Sequence, residues 1–497
     1  MASPLILAID QGTGSTKCLL VDDTGAVVAR GSAPLGQSTP HPGWVEQDAD
    51  EIWASVKKAV AGCVTEELAP RVAAIGFSTQ RESCVIWDRR TGKALTPLLS
   101  WQDQRTEDRC ADIRARGYGE LIRAKSGLPL DPMFSAIKAK WLLDRMDPDR
   151  SRARAGEICI GTIDSFLLSR FGGEAIVEAG NASRMQLLDV ALGDYDEALL
   201  DIFGIPKAAL PRIVPSVGPF PACRDLAPVP DGVPVRAVMA DSHSALFAHG
   251  AYEPGPIKAT QGTGSSVMGL LDPSSLKSGS GLHRGLCLTL AWWIDKPMLG
   301  FEGNIRSAGS TLLWMADLLG IDAGDLARLA ATCEDAGNVH LVPGFNGLGA
   351  PWWDGNAVAT LSGFTLGAGR SVIARAALDS IAHQIADLVD VVRQSGMTVE
   401  RLHVDGGPTR NDQLMQFEAD MTGVTVARTD TAELSAMGVA HLAGIAEGIF
   451  SFAGLSRMNR GGRSFEPLMP EEGRAAKRMA WRRAVARSLG DVAPAQP

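Results

Sequence analysis

Asp10 stands directly before Gln11-Gly12-Thr13-Gly14-Ser15, and those five residues recur as Gln261-Gly262-Thr263-Gly264-Ser265. The copies lie 250 positions apart in a chain of 497 residues. Glycine lets a backbone approach a ligand closely and aim its N–H groups at an anion. One such loop in each half points to a duplicated unit with a polyphosphate between the halves. A carboxylate beside a phosphate loop repels the phosphate unless a cation intervenes. Mg²⁺ shared by a carboxylate and the phosphates resolves that conflict, which makes Asp10 the candidate metal ligand. A strand-end Asp capping the next turn is the plainer alternative.

The loops have rivals. A dinucleotide fingerprint must open a helix and needs a third glycine; here an apolar stretch with strand character, Cys18 to Val21, follows instead. The pattern GxxxxGK[ST] of a nucleotide-triphosphate loop is absent from the chain. A plain hairpin turn explains either copy alone, but not the repetition. A third Gly-rich element, Asp405-Gly406-Gly407-Pro408-Thr409-Arg410-Asn411, joins a strand to a helix start. That geometry suits another phosphate or a nucleoside.

A second set of residues suits a small polyhydroxylated molecule. Gln80-Arg81-Glu82 and Trp101-Gln102-Asp103 each follow an apolar segment. Charged groups bridge vicinal hydroxyls, and an indole covers the C–H face. Two surface ion pairs are the bland reading. Asp241 ends the apolar run Val235 to Met239 and is placed to act as a base: a phosphoryl acceptor must lose a proton and align with the γ-phosphate. His243 is a competing base, but is expected to pack or bond at the helix start.

The elements that must position these residues follow from periodicity. Strands are expected at 5–10, 17–22, 26–30, 72–77, 83–87 and 235–239, with a helix over 48–61. Further helices are expected near 105–116, 135–146 and 195–203. Beyond a turn-rich boundary at 247–255, a hairpin at 257–271 repeats the grammar. Helices at 307–319, 371–395, 411–423 and 432–447 and strands at 402–404 and 424–428 follow. The Ala/Arg-rich 472–488 reads as a surface helix with a solvated basic face.

A chain this long exceeds one hydrophobic core. Its net charge of -9 argues against nucleic acid or an anionic membrane as the main partner. Eight scattered cysteines without CxxC spacing read as reduced packing residues of the cytoplasm. Neither a signal peptide nor a membrane-inserted segment is expected.

Several blocks occur in one order: Ile9-Asp10-Gln11-Gly12-Thr13, Gly43-Trp44-Val45-Glu46-Gln47-Asp48, Gln80-Arg81-Glu82, Trp101-Gln102-Asp103 and Gly161-Thr162-Ile163-Asp164. Asn181-Ala182-Ser183-Arg184, Gly262-Thr263-Gly264, Glu302-Gly303, Ala350-Pro351-Trp352-Trp353, Ala374 to Leu378 and Val404-Asp405-Gly406-Gly407 continue it. In these blocks the sequence resembles the FGGY carbohydrate kinases, nearest the glycerol kinase branch, over about residues 5–450. The resemblance implies an α/β fold of two actin-like (ribonuclease H-like) domains, mixed sheets flanked by helices, with an ATP cleft between them. It implies an N-terminal domain over 1–250 for acceptor and Mg²⁺, a C-terminal domain over 251–450 for nucleotide, and a tail over 451–497.

Carried over by position, Asp10 holds Mg²⁺. Thr13, Gly14, Ser15, Lys17, Thr263, Gly309, Leu313, Gly407 and Asn411 line the nucleotide. Arg81, Glu82, Trp101, Met133, Asp241 and Ser242 line the acceptor, with Asp241 as base. Departures stand out. Glycerol kinases usually have Tyr at Met133 and Gln at Ser242, both contacting glycerol; here the pocket is roomier and less polar. Gly14 replaces a usual Thr, Lys17 an Arg, and Leu313 a Gln. The expected activity is ATP- and Mg²⁺-dependent phosphorylation of a hydroxyl of a small sugar or polyol. The alternatives are a glycerol kinase proper and an actin-like ATPase without an acceptor; a dehydrogenase is a distant third. Homodimers are common in the family.

Overall fold

The computed structural model describes residues 3–272, 274, 282–458 and 460–489. The first two residues of the expected 1–250 domain and the end of the expected tail lie outside the described residues. The chain forms two compact units: the described residues of 1–250, 288–299 and 433–459, and those of 251–287, 300–432 and 460–497.

The first unit is built on β1 (Leu5–Gln11), β2 (Ser15–Asp22), β3 (Val27–Pro34), β4 (Val72–Thr79) and β5 (Val235–Ala240). Their spatial order is β5-β4-β1-β2-β3. β1 to β3 pair antiparallel, whereas β4 pairs parallel with both β1 and β5. Leu5 to Ile9 are apolar and buried without interruption, as a central strand covered on both faces requires. β3 alternates partly buried and exposed residues along most of its length, the pattern of an edge strand. Helix Ala49–Cys63 starts where Asp48 accepts the N–H groups of Asp50 and Glu51 at 2.8 and 3.1 Å. It buries Ile52, Trp53, Val56 and Val60. Segment 288–299 joins this unit through Ser183, whose Oγ meets Thr289 Oγ1 at 2.7 Å and accepts the Leu290 N–H at 3.1 Å.

The second unit repeats the plan. β6 (Pro256–Gln261), β7 (Ser265–Leu270), the Gly300–Ile305 part of β8 (Pro297–Ile305), β9 (Arg401–Asp405), β10 (Thr425–Arg428) and β11 (Arg463–Phe465) lie in the order β8-β7-β6-β9-β10-β11. Again an antiparallel trio adjoins two parallel strands, here with β11 added antiparallel at the edge.

Residues 433–450 fall in the expected C-terminal domain, and by packing the described residues of 433–459 lie with the first unit. Helix Leu434–Ala446 buries Leu434, Met437, Val439, Ala440, Leu442 and Ala443 there. The expected surface helix runs over Glu471–Ser488 within the second unit, with Arg482, Arg483 and Arg487 exposed and, of its basic residues, Arg478 buried. Arg478 and Trp481 are buried, and both donate to Asp387, Trp481 Nε1 at 2.8 Å. One buried Arg among the six basic residues of this helix carries no mark of burial in the sequence. Among the described residues no helix is long and apolar enough to cross a membrane. All eight cysteines are free thiols, seven of them buried.

Candidate active site

In the first unit the loop between β1 and β2 is braced by buried amides. Gln47 Nε2 donates to Thr13 O at 2.8 Å and Gly36 O at 3.2 Å. Gln80 Nε2 donates to Gln11 Oε1 at 3.2 Å and Gln47 Oε1 at 3.1 Å, and Ser83 Oγ donates to Gln80 Oε1 at 2.9 Å. All three glutamines are essentially solvent-free, so the network fixes the loop by satisfying each polar group. Nothing lies within 4 Å of where a side chain on Gly14 would begin. The hairpin is closed by Gly12 N–H to Ser15 O at 3.0 Å.

Asp10 is half-buried and accepts from Ser78 Oγ, its neighbour on β4, at 2.9 Å. Burial first, and the Asp241 carboxylate second, push its carboxyl up to about 7. Lys17, exposed and opposite it on β2, pulls the other way.

Asp241 opens helix Asp241–Ala248. Arg81 Nε lies 3.2 Å from its Oδ1, and the Ser242 N–H donates to the same oxygen at 2.6 Å. Arg81 Nη2 also reaches Ser242 Oγ at 3.3 Å. Arg81 and Glu82 are buried, which excludes the surface-ion-pair reading. Glu82 has a positive φ of 58°, accepts Arg184 Nε at 2.6 Å and lies 3.9 Å from Arg81 Nη1. Trp101 Nε1 donates to Thr13 Oγ1 at 3.0 Å, so an expected acceptor residue and an expected nucleotide residue share one hydrogen bond. Asp103 of the same motif is structural. It binds the Val45 N–H at 2.7 Å and the Arg105 guanidinium. Met133 is half-buried, two residues before Ser135, whose Oγ donates to Glu82 O at 2.9 Å. His243 is fully buried and packs against helix Ala179–Ser183, close to Gly180.

The second unit gathers three Gly-bearing turns. Gly309 N–H donates to Gly262 O at 2.9 Å; Ala308 and Ser310 N–H donate to Thr263 O at 2.9 and 3.1 Å. A side chain on Gly309 would begin 2.5 Å from Gly262 O, and one on Gly406, at φ +102°, 1.9 Å from Gln261 O. Both turns therefore require glycine. Gly407 has nothing within 4 Å of the same point, and Thr263 is exposed. Around these turns Gly407 and Thr263 stay open to solvent. Leu313 lies on helix Gly309–Leu319 with 62% of its surface exposed. Asn411 caps helix Asp412–Thr422, its Oδ1 accepting the Leu414 N–H at 3.0 Å.

Several residues escaped the sequence reading. Gln47, Gln80 and Arg184 sat inside the quoted blocks, but a long polar side chain carries no sign of burial in a linear sequence. Lys138 is fully buried, donates to Met133 O and Phe134 O, and is pushed down to about 8 by burial. Glu418 is fully buried and accepts Gln261 Nε2 at 2.7 Å.

The sequence profiles described as the N- and C-terminal domains of the FGGY family of carbohydrate kinases match residues 5–248 and 257–447. Glycerol kinases from Aromatoleum aromaticum and Trichlorobacter lovleyi are 40% and 41% identical, each over 98% of this chain and 99% of theirs. The crystal structure of Plasmodium falciparum glycerol kinase with ADP superposes with a TM-score of 0.89 at 29% identity, covering 99% of both chains. Gluconate kinase from Lactobacillus acidophilus, 21% identical with a TM-score of 0.86 over 98% of both chains, shares the fold. The chain belongs to the FGGY family of carbohydrate kinases, ATP-dependent enzymes that phosphorylate an alcohol group.

Proposed function

We propose that the chain transfers the γ-phosphoryl of Mg²⁺-ATP to a hydroxyl of a small sugar or polyol other than glycerol, with Asp241 as base. The observation that carries this reading is the buried polar cluster around Asp241. Arg81 Nε pairs with Oδ1 and the Ser242 N–H donates to it, which holds that oxygen in place. Arg81 is itself braced by Ser242 Oγ, and Glu82 by Arg184. An assembly ATPase has no use for this set. A base held so firmly removes the acceptor proton as the oxygen attacks. Glu82 and Arg81 orient hydroxyls, and Trp101 presents its ring to the C–H face.

The donor set beside Asp10 fits a magnesium ion. Burial first and the Asp241 carboxylate second raise the Asp10 carboxyl, and a bound cation would offset both. Magnesium binds through few carboxylates and keeps its remaining positions for water and phosphate. Asp10 would hold it, and the ion would neutralise charge on the transferring phosphoryl group. Thr13, Ser15, Lys17, Thr263, Gly309, Gly407 and Asn411 are assigned to the nucleotide, Leu313 to its adenosine end. Cytoplasmic residence fits the free, mostly buried thiols.

Met133 and Ser242 support an acceptor other than glycerol. Where relatives of the resembling branch place a phenol and an amide, this chain offers a thioether and a short hydroxyl already engaged by Arg81. The second reading, glycerol kinase proper, is favoured by the glycerol kinases that match at about 40% identity. ADP release with glycerol, erythritol, pentitols and pentuloses separates the two. We expect a larger polyol or ketose to exceed glycerol in kcat/KM. The Met133→Tyr/Ser242→Gln variant is expected to shift the ratio toward glycerol by about tenfold or more, the scale on which hydrogen-bonding pockets discriminate. Glycerol as best substrate of the unaltered chain selects the second reading.

A further inference from the structure

We propose a second anion site in the first unit, away from the Asp241 cluster, that takes a phosphate group. A cavity of about 300 Å³ is lined by Arg89, Arg90, Arg170 and Arg224 together with Gly172 and Gly173. Trp87 and Phe171 form part of the same wall and are almost wholly buried. Arg90 and Arg224 are exposed and Arg89 and Arg170 half-buried, so the cavity opens to solvent. No Asp or Glu lines the cavity, in a chain whose net charge is -9.

The neighbouring carboxylates are engaged elsewhere. Asp88 accepts the Thr91 N–H and Oγ1, Glu174 pairs with Arg212, and Asp225 pairs with Lys57. Arg170 meets the carboxylate of Asp50, and Arg90 is attracted by that of Asp88. Arg89 and Arg224 form no ion pair with a carboxylate among the described residues. The Nε atoms of Arg89 and Arg170 are buried without a hydrogen-bond acceptor, a state that costs stability unless something supplies the acceptor. Gly172 and Gly173 have nothing within 4 Å of where a side chain would begin, so their backbone is open to a ligand. Planar guanidinium forks match the oxygens of a phosphate better than any other anion-binding side chain. The strand Val85–Asp88 runs from the Arg81-Glu82 motif to Arg89, so the cavity lies at the far end of the element that follows the acceptor residues.

The test uses the full chain with ADP and Mg²⁺ present. Inorganic phosphate and glycerol 3-phosphate are titrated separately by calorimetry at constant ionic strength, with sodium chloride as control. Two variants are compared with the unaltered chain: Arg89→Gln/Arg90→Gln/Arg224→Gln, and the milder Arg90→Gln/Arg224→Gln, which leaves the Arg89 bond to Ala208 O intact. We expect both variants to weaken binding, the triple variant at least tenfold, with KM for ATP and acceptor unchanged within twofold. Loss seen with inorganic phosphate identifies free phosphate as sufficient; loss confined to the ester identifies a phosphorylated polyol. Isotherms identical in all three proteins, or an equal response to chloride, overturn the site.

Discussion

At the residue scale, Asp241 and Glu82 are acids placed for opposite purposes. Asp241 keeps about a third of its side chain exposed, while Glu82 is buried against two guanidiniums. Asp241→Asn preserves shape and the Arg81 contact but removes the base. We expect kcat to fall by about 10²–10⁴-fold, the usual worth of a general base, with ATP affinity largely unchanged; turnover near normal in a steady-state assay defeats the assignment. Glu82 depends on Arg184, which has no exposed surface. Deleting one partner of a buried pair strands the other charge, at a cost of about 3–5 kcal/mol. Arg184→Leu is therefore expected to lose up to that much stability in urea unfolding, less whatever Arg81, 3.9 Å from the carboxylate, still provides. The added change Glu82→Gln should recover part of it, because the stranded charge is then gone. Equal losses in the single and double variants count against a charge-pair role.

At the element scale, the two hairpins are copies whose polar residues have traded places. On β1 the carboxylate Asp10 faces the hydroxyl of Ser78 on β4; on β6 the hydroxyl of Thr260 faces the carboxylate of Asp405 on β9, at 3.1 Å. Lys258, fully buried, donates to Thr260 at 2.7 Å, so the second copy already carries a cation of its own. That asymmetry supports assigning the metal to the first copy. The duplication itself was legible in the sequence because glycine spacing survives folding unchanged. The partners of each loop were not, because Gln47 approaches Thr13 from 34 residues away and Gln80 approaches Gln11 from 69. Glu418 was equally hidden. Its Oε1 and the Oε1 of Gln261 are both buried without a donor, and one proton on Glu418 supplies it. Burial, the leading cause, pushes that carboxyl up to about 8 from an ordinary 4.5. Between those values the folded chain holds a proton that the unfolded chain has released, so stability falls as pH rises through the window and levels off above it. Glu418→Gln keeps an amide donor and has no proton to lose. Its stability relative to the unaltered chain should rise from pH 5 to pH 8 by up to about 1.4 kcal/mol per pH unit. Parallel stability–pH curves would show that the acid is ionised in the fold.

At the scale of the whole molecule, the chain crosses between its units five times, at 250/251, 287/288, 299/300, 432/433 and 459/460. A boundary near 250 is visible as turn-rich sequence. The return of 433–459 is not, because helix Leu434–Ala446 has the same apolar composition as a helix of either unit. Its consequence is energetic. Val439 O approaches to within 2.8 Å of the point where a side chain on Gly76 of β4 would begin, so the helix lies directly on the sheet that carries Asp10. Each buried Val, Leu or Met contributes about 1.5–3 kcal/mol relative to exposure, and the helix buries Leu434, Met437, Val439 and Leu442 among others. Their summed contribution is comparable with the whole stability of a domain. A fragment ending at Gly250 therefore presents an uncovered apolar sheet face, and it is expected to aggregate or to melt without a cooperative transition. Joining 433–458 to that fragment through a flexible linker restores the cover, and should give a monomeric species on size exclusion with a sharp thermal transition by circular dichroism. A fragment of 1–250 that folds cooperatively by itself would mean that the helix is dispensable to the sheet it covers.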